Sequence, residues 1–214
     1  MTVLDYINPI KVVVFLTFVF ALIRLSWNKP NNRYVLIILG ISLTLELVNS
    51  FFVIQHIKLS GTMTLGAIFH NGFWLALLAR NSYFKRAIYI SLFLYIIFSI
   101  INWLAIEGSS GFNYYTFVVG AFLYLIFFII ESFYRLSKED FAFFLANDFI
   151  LLLAPILLFL GLSFMFGFKS KLVTSTMLFP NIKLYDAIVY FVNVVYYVLL
   201  NMYIYKERKR TYLP

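Results

Sequence analysis

Residues 41–78, ISLTLELVNSFFVIQHIKLSGTMTLGAIFHNGFWLALL, carry the strongest structural signal in the chain. Two long apolar segments are joined here by a short polar link, and each segment has an ionisable residue near its middle, Glu46 in the first and His70 in the second. Apolar runs of about 18 residues with few charges are typical of transmembrane helices. The stretch therefore predicts two consecutive transmembrane helices with polar groups at depth.

The whole chain has the composition of a membrane protein. Hydrophobic residues make up 63% of it and charged residues only 12%, whereas soluble domains are roughly 45–50% apolar. Apolar segments cover residues 9–27, 34–57, 62–78, 87–105, 114–134, 141–168 and 184–205. Such unbroken runs favour helices over barrel strands, because a helix satisfies its own backbone hydrogen bonds in lipid. We predict an all-α, polytopic membrane protein in which residues 1–214 form a single domain of seven transmembrane helices.

The basic residues predict the orientation in the membrane. If the N-terminus is outside, 12 of the 17 Lys and Arg residues fall on the cytoplasmic side, as the positive-inside rule requires. We expect an outside N-terminus, a cytoplasmic C-terminus and a multi-pass protein of the cell inner (cytoplasmic) membrane. This distribution accounts for the net charge of +8 without nucleic acid, so the expected partner is the lipid bilayer.

Polar residues recur at helical spacing in three predicted spans. The stripes are Ser42, Glu46, Asn49 and His56; Gly66, His70 and Trp74, with Asn71 adjoining; and Asp186, Tyr190, Asn193, Tyr197 and Asn201. Residues three or four apart share one helical face, and a carboxylate facing lipid near the midplane costs at least ~2.5 kcal/mol. The stripes should therefore face one another. The predicted ligand-binding residues are Glu46, Asn49, His70, Asn71, Trp74, Asn193 and Tyr197.

Glu46 and His70 are expected near the same depth in antiparallel helices. This placement suggests a charge-assisted hydrogen bond between them. The alternative is that the polar stripes serve only as interhelical contacts, which contribute about 0.6 kcal/mol each on average. An intramembrane carboxylate is by itself a candidate functional group, so Glu46 favours the binding interpretation.

Other features have plainer interpretations. Glu131 and Arg135, four residues apart, predict an ion pair, and Asp148 is expected to meet Glu131 or an inner-face arginine. Pro155 predicts a kink in the sixth span. The long link 169–183 is either an ordinary surface loop or a lid on the bundle.

Several chemistries are excluded by residues that the chain lacks. The last span contains no lysine before Lys206 for a retinal Schiff base, and of the two histidines only His70 is central, which excludes a pair of axial haem ligands. Cysteine is absent, and no zinc-protease, nucleotide-binding or hydrolase motif occurs. We predict no cofactor and no metal, and the catalytic residues, if any, stay unknown.

The segments LTLEL (43–47), NSFF (49–52) and IFHNGFWLALLARN (68–81) carry a resemblance to known proteins. Together with the seven-span pattern, they resemble uncharacterised small seven-span bacterial membrane proteins, and the seven-helix input modules of bacterial sensor kinases. The resemblance implies a sensory role and no particular catalytic residues. No kinase or cyclase follows the last span, so signalling would need a separate partner protein.

The sequence thus favours a receptor-like or sensory module, rather than an enzyme, that binds a small apolar or amphipathic ligand between the second, third and seventh spans. One alternative is a membrane-embedded lipid hydrolase, with Glu46 or Asp148 as acid or base and His70 as partner. Another is a small proton-coupled transporter that uses Glu46. A scaffold subunit without a ligand is the remaining alternative.

Overall fold

The computed structural model describes residues 9–55, 60–109, 111–167, 176–179 and 182–211. The helices are α1 (Pro9–Arg24), α2 (Pro30–Ile54), α3 (Ser60–Asn81), α4 (Lys85–Ile101) with a π-helical extension (Asn102–Ile106), α5 (Tyr114–Ser137), α6 (Phe141–Leu145), α7 (Asn147–Gly167) and α8 (Leu184–Thr211). Two short antiparallel strands, β1 (Met177–Phe179) and β2 (Ile182–Lys183), form a hairpin before α8. The described chain is mostly helical, as predicted.

Six of the described helices are long and apolar enough to cross a membrane. They are Pro30–Phe52, Gly61–Asn81, Lys85–Ile106, Tyr114–Ser137, Asn147–Gly167 and Leu184–Glu207, and they match the second to seventh predicted spans. Helix α1 has only 16 residues, which is shorter than the ~20 that a typical bilayer core requires. The chain therefore has the architecture of a multi-pass helical membrane protein, while the seventh span and the orientation remain predictions.

Two helix boundaries differ from those expected. Helix α2 begins at Pro30, four residues before the predicted span, because the fixed φ angle of proline suits the first position of a helix. The predicted sixth span is divided at Ala146, whose ψ angle of 150° is extended, into α6 and α7. Asp140 caps α6 by accepting a hydrogen bond of 3.3 Å from the Phe143 amide.

The helices form a closed ring. In order of contact the ring runs α1, α2, α3, α5, α7 and α8, and α8 packs back against α1. Helix α4 lies outside the ring in the groove between α3 and α5. We call the end of the ring where α2 ends and α3 begins the hairpin end, since β1 and β2 contact the start of α8 there. The other end is called the link end.

An arginine holds the link end of α5. Arg135 Nε donates to Glu131 at 2.6 Å, Nη1 donates to Asp140 at 2.8 Å, and Nη2 donates to the Asn81 carbonyl at 2.8 Å. The guanidinium carbon also lies 3.9 Å from the centre of the Phe143 ring. The predicted pair between Glu131 and Arg135 is confirmed, and it belongs to a network that joins α3, α5 and α6.

Further hydrogen bonds tie α2, α7 and α8 together at the link end. Asp148 accepts from Asn31 Nδ2 at 3.1 Å, so its partner is an asparagine and not Glu131 or an arginine as expected. Glu207 accepts from Lys29 at 2.6 Å and from Asn147 at 3.2 Å. Amide side chains in the first turn of α2 and α7 therefore bond to Asp148 and Glu207, and Glu207 also pairs with Lys29.

The hairpin end is ordered by a different carboxylate. Glu107, which follows the π-helical extension of α4, accepts from the backbone amides of Tyr114 at 3.2 Å and Tyr115 at 2.9 Å. It also accepts from Asn102 Nδ2 at 2.8 Å. Free amides and the helix dipole favour an anion at a helix N-terminus, so Glu107 fixes the start of α5.

Candidate binding site inside the helix ring

A cavity of about 220 Å³ lies inside the ring, in its hairpin half. All six ring helices contribute to it. The apolar lining consists of Ile10, Leu45, Met63, Gly66, Ala67, Phe112, Phe117, Leu158, Leu162 and Phe166, and the polar lining of Ser42, Glu46, His70, Asn193, Tyr196 and Tyr197. Four of the seven predicted binding residues, Glu46, His70, Asn193 and Tyr197, therefore surround one space.

Small residues of α3 make room for the α2 contact beside this cavity. Gly66 is approached so closely by the Leu45 side chain that a Cβ atom there would overlap it. The next residue, Ala67, is also small and lines the cavity. The sequence thus has small residues where α3 packs against α2. The larger His70 side chain lies one turn further along α3.

Among the described residues that line the cavity, Glu46 is the only carboxylate. It is half-buried on α2, and within the described residues its carboxylate accepts no hydrogen bond. The Lys11 ammonium of α1 acts on it electrostatically but donates its hydrogen bond to Ser50 Oγ, at 2.8 Å. The carboxylate thus faces the cavity with unused acceptor capacity.

His70 bonds to other aromatic residues and not to Glu46. Its Nε2 accepts from Trp74 Nε1 at 3.4 Å and lies 3.5 Å from the Tyr196 hydroxyl. Since Nε2 is the acceptor, this network assigns the neutral ring with its proton on Nδ1. Phe159 packs edge-on against the imidazole, with the ring centres 5.9 Å apart.

The predicted hydrogen bond between Glu46 and His70 is therefore wrong, although both line the same cavity. Glu46 is six residues from the hairpin end of its span, at Phe52, and His70 is nine residues from Gly61. At ~1.5 Å per residue, their depths differ by about 5 Å. Because α2 begins earlier than expected, Glu46 lies on the hairpin side of the middle of its span and not at the middle itself.

On α8, Asn193 and Tyr197 reach the cavity as predicted. Asn193 Nδ2 donates to the Val189 carbonyl one turn earlier, at 2.8 Å, which leaves its Oδ1 as an acceptor. Tyr196 is a lining residue that the prediction missed. The signal was present, since Tyr196 is three residues after Asn193 and therefore shares its face.

Three of the predicted binding residues do not line the cavity. Asn71 faces α4 and α5, where its Nδ2 donates to the Phe117 carbonyl at 3.1 Å and lies 3.4 Å from the Tyr95 hydroxyl. Trp74 is fully buried behind His70, and Asn49 is not among the lining residues. His56, the last member of the α2 stripe, falls outside the described residues.

The arrangement offers binding groups but no activated nucleophile. Ser42 Oγ donates to the Ile38 carbonyl at 3.0 Å, and His70 Nε2 already accepts from Trp74, so no described base activates that hydroxyl. Asp148 is bonded to Asn31 at the link end. The described residues hold no group of three His, Cys, Asp or Glu that could bind a metal ion.

Comparisons with known proteins give no family for this chain. No protein-family model matches it, no curated protein is similar to it, and no solved structure has a similar fold. The geometry of the cavity therefore carries the functional argument.

Proposed function

We propose that the protein is a seven-span membrane receptor-like or sensory module that binds a small apolar or amphipathic molecule in the cavity of the helix ring. The observation that carries the proposal is that Glu46, His70 and Asn193, from three different helices, surround one otherwise apolar space. Small-molecule sites are typically concave and apolar, with a few polar groups that fix the orientation of the ligand. The cavity matches that description.

The size of the cavity limits the ligand. An apolar cavity of about 150 Å³ holds a benzene-sized molecule, so the space of about 220 Å³ suits a ligand with a few atoms more. A bound molecule would touch all six ring helices. A ligand that fits one arrangement of these helices better than another shifts the population between them, and a separate signalling protein could detect that shift.

The test is direct binding to the purified protein in lipid nanodiscs. We expect Glu46→Gln, His70→Ala and Asn193→Ala each to weaken binding of a small amphipathic molecule by about tenfold or more, since each removes a polar contact in a buried site. Ala67→Leu should also weaken binding by filling the cavity. Asn49→Ala is the matched control, because Asn49 is a polar residue of α2 outside the lining. Affinities unchanged by all four lining variants would contradict the proposal.

A small proton-coupled carrier is the second candidate. Glu46 favours it, because an intramembrane carboxylate with no hydrogen bond to the described residues can take up and release a proton. Flux into liposomes that depends on a pH gradient and is lost in Glu46→Gln would support this function. Flux that responds to neither change would contradict it.

A further inference from the structure

We propose that the cavity selects organic ammonium ions, with the charged nitrogen at Glu46 and the apolar body among the rings of α5, α7 and α8. This inference rests on the proposed function, because it names the chemical class of the ligand for the same cavity. Three observations carry it: the charge of the lining, its hydrogen-bonding groups and its aromatic surface.

The lining carries formal negative charge and no positive charge. Glu46 is its one carboxylate, and neither Lys nor Arg is among the lining residues that the structure describes. Lys11 acts on Glu46 electrostatically, but its ammonium donates to Ser50, one turn beyond Glu46 on α2, and Lys11 is not among the lining residues. His70 is neutral in the observed network because Nε2 accepts from Trp74. A cation is therefore attracted, while a carboxylate or phosphate is repelled.

Two of the hydrogen-bonding groups are acceptors that suit a ligand that donates. The Glu46 carboxylate accepts nothing from the described residues, and Asn193 has one N–H committed to the Val189 carbonyl, which leaves its Oδ1 as an acceptor beside one further N–H. Both side chains line the cavity, so two acceptors from facing helices are open to a ligand. An ammonium group supplies up to three N–H donors and a positive charge to a half-buried carboxylate that accepts no hydrogen bond from the described residues.

The apolar walls are rich in aromatic rings. Tyr196 and Tyr197 both line the cavity, with ring centres 4.8 Å apart and planes inclined at 72°. Phe117 and Phe166 line the cavity, and their ring centres are 5.1 Å apart. Aromatic faces attract ammonium ions through the ring quadrupole, and the same rings bury an apolar body. The walls thus suit both parts of an arylalkyl or alkyl amine.

Three probes with one apolar body separate charge from hydrophobicity. Phenethylamine, phenethyl alcohol and phenylacetate differ in the polar end and present a cation, a neutral donor and an anion. Binding to the full chain in nanodiscs is measured by calorimetry, with protein-free nanodiscs to subtract partition into lipid. We expect the amine to bind at least tenfold more tightly than the alcohol, and the acid to bind most weakly, since a charge-assisted hydrogen bond is worth about a factor of ten or more.

Variants assign the preference to Glu46. Glu46→Gln should weaken amine binding about tenfold or more, by loss of the ion pair, and should weaken alcohol binding by a smaller factor. Glu139→Gln, at an exposed carboxylate on the α5 to α6 link, should change neither. Equal binding of amine and alcohol, abolished for both by Ala67→Leu, would overturn the ammonium inference and leave the proposed function standing. No binding of any probe would overturn both.

Discussion

The carboxylate of Glu131 offers the sharpest test of how this bundle is held together. It is 1% exposed, and one oxygen accepts from Arg135 Nε at 2.6 Å while the other accepts from Ser82 Oγ at 2.5 Å and from the Tyr83 amide at 3.1 Å. Both oxygens therefore face donors. In Glu131→Gln the side chain keeps its shape but presents an NH₂ group to at least one of these donors, whichever way the amide is turned.

The contacts of Glu131 set the expected loss in the free energy of unfolding. Removing one partner of a buried ion pair typically destabilises a protein by about 3–5 kcal/mol. Arg135 retains its bonds to Asp140 and to the Asn81 carbonyl, both 2.8 Å, so the guanidinium is not left unpaired. We therefore expect the lower end of that range, about 3 kcal/mol.

The free energy of unfolding is measured by reversible unfolding of the purified protein in mixed micelles. Glu139→Gln is the control, since Glu139 is an exposed carboxylate eight residues further on, and it should change stability by less than about 0.5 kcal/mol. A loss below about 1 kcal/mol in Glu131→Gln, similar to the control, would show that the buried pair does not hold the link end and would refute the reasoning.

Other predictions concern packing and topology. Gly161→Ala should destabilise the protein by about 1–3 kcal/mol, because a Cβ atom there would lie 2.5 Å from Val192 Cγ1, whereas Gly167→Ala on the same helix meets nothing within 4 Å and should cost little in the same unfolding assay. Tyr124→Phe removes a bond of 2.7 Å to the Leu152 carbonyl and should lower the unfolding free energy by about 1 kcal/mol; no loss would mean that water replaces the hydroxyl. A reporter fused to the C-terminus should be active only on the cytoplasmic side, and activity outside would reverse the orientation inferred from the basic residues.

Six membrane-length helices were predictable because lipid requires long apolar runs, but hydropathy marks the hydrocarbon layer and not the helix. Hydropathy therefore does not detect polar first turns, such as the one at Pro30, where α2 starts among asparagines. The sequence around Ala146 has no glycine or proline that would predict the break between α6 and α7. The position of α4 outside the ring was equally hidden, since lipid-facing and buried surfaces are both apolar in a membrane protein.

The site was predictable only in its polar members. The helical spacing of Glu46, His70, Asn193 and Tyr197 identified four of them, because burying polar groups costs free energy unless they face the interior. The prediction put Asn71 in the cavity because it is next to His70. Consecutive helical residues point about 100° apart, so Asn71 instead faces α4 and α5. The contribution of α7 left no polar signal, since its lining residues are leucines and a phenylalanine.

The carboxylates of this fold differ in the hydrogen bonds that they accept. Glu107, Glu131 and Glu207 each accept two or more hydrogen bonds from neighbouring helices or helix ends, which is the arrangement that makes a buried charge tolerable. Glu46 is half-buried in the same bundle, and its carboxylate accepts none from the described residues. A carboxylate kept for packing alone would gain by bonding to a neighbouring side chain, as the other three do. The unused acceptor capacity of Glu46, directed at a cavity without a lysine or arginine in its described lining, is what the proposed ammonium site would require.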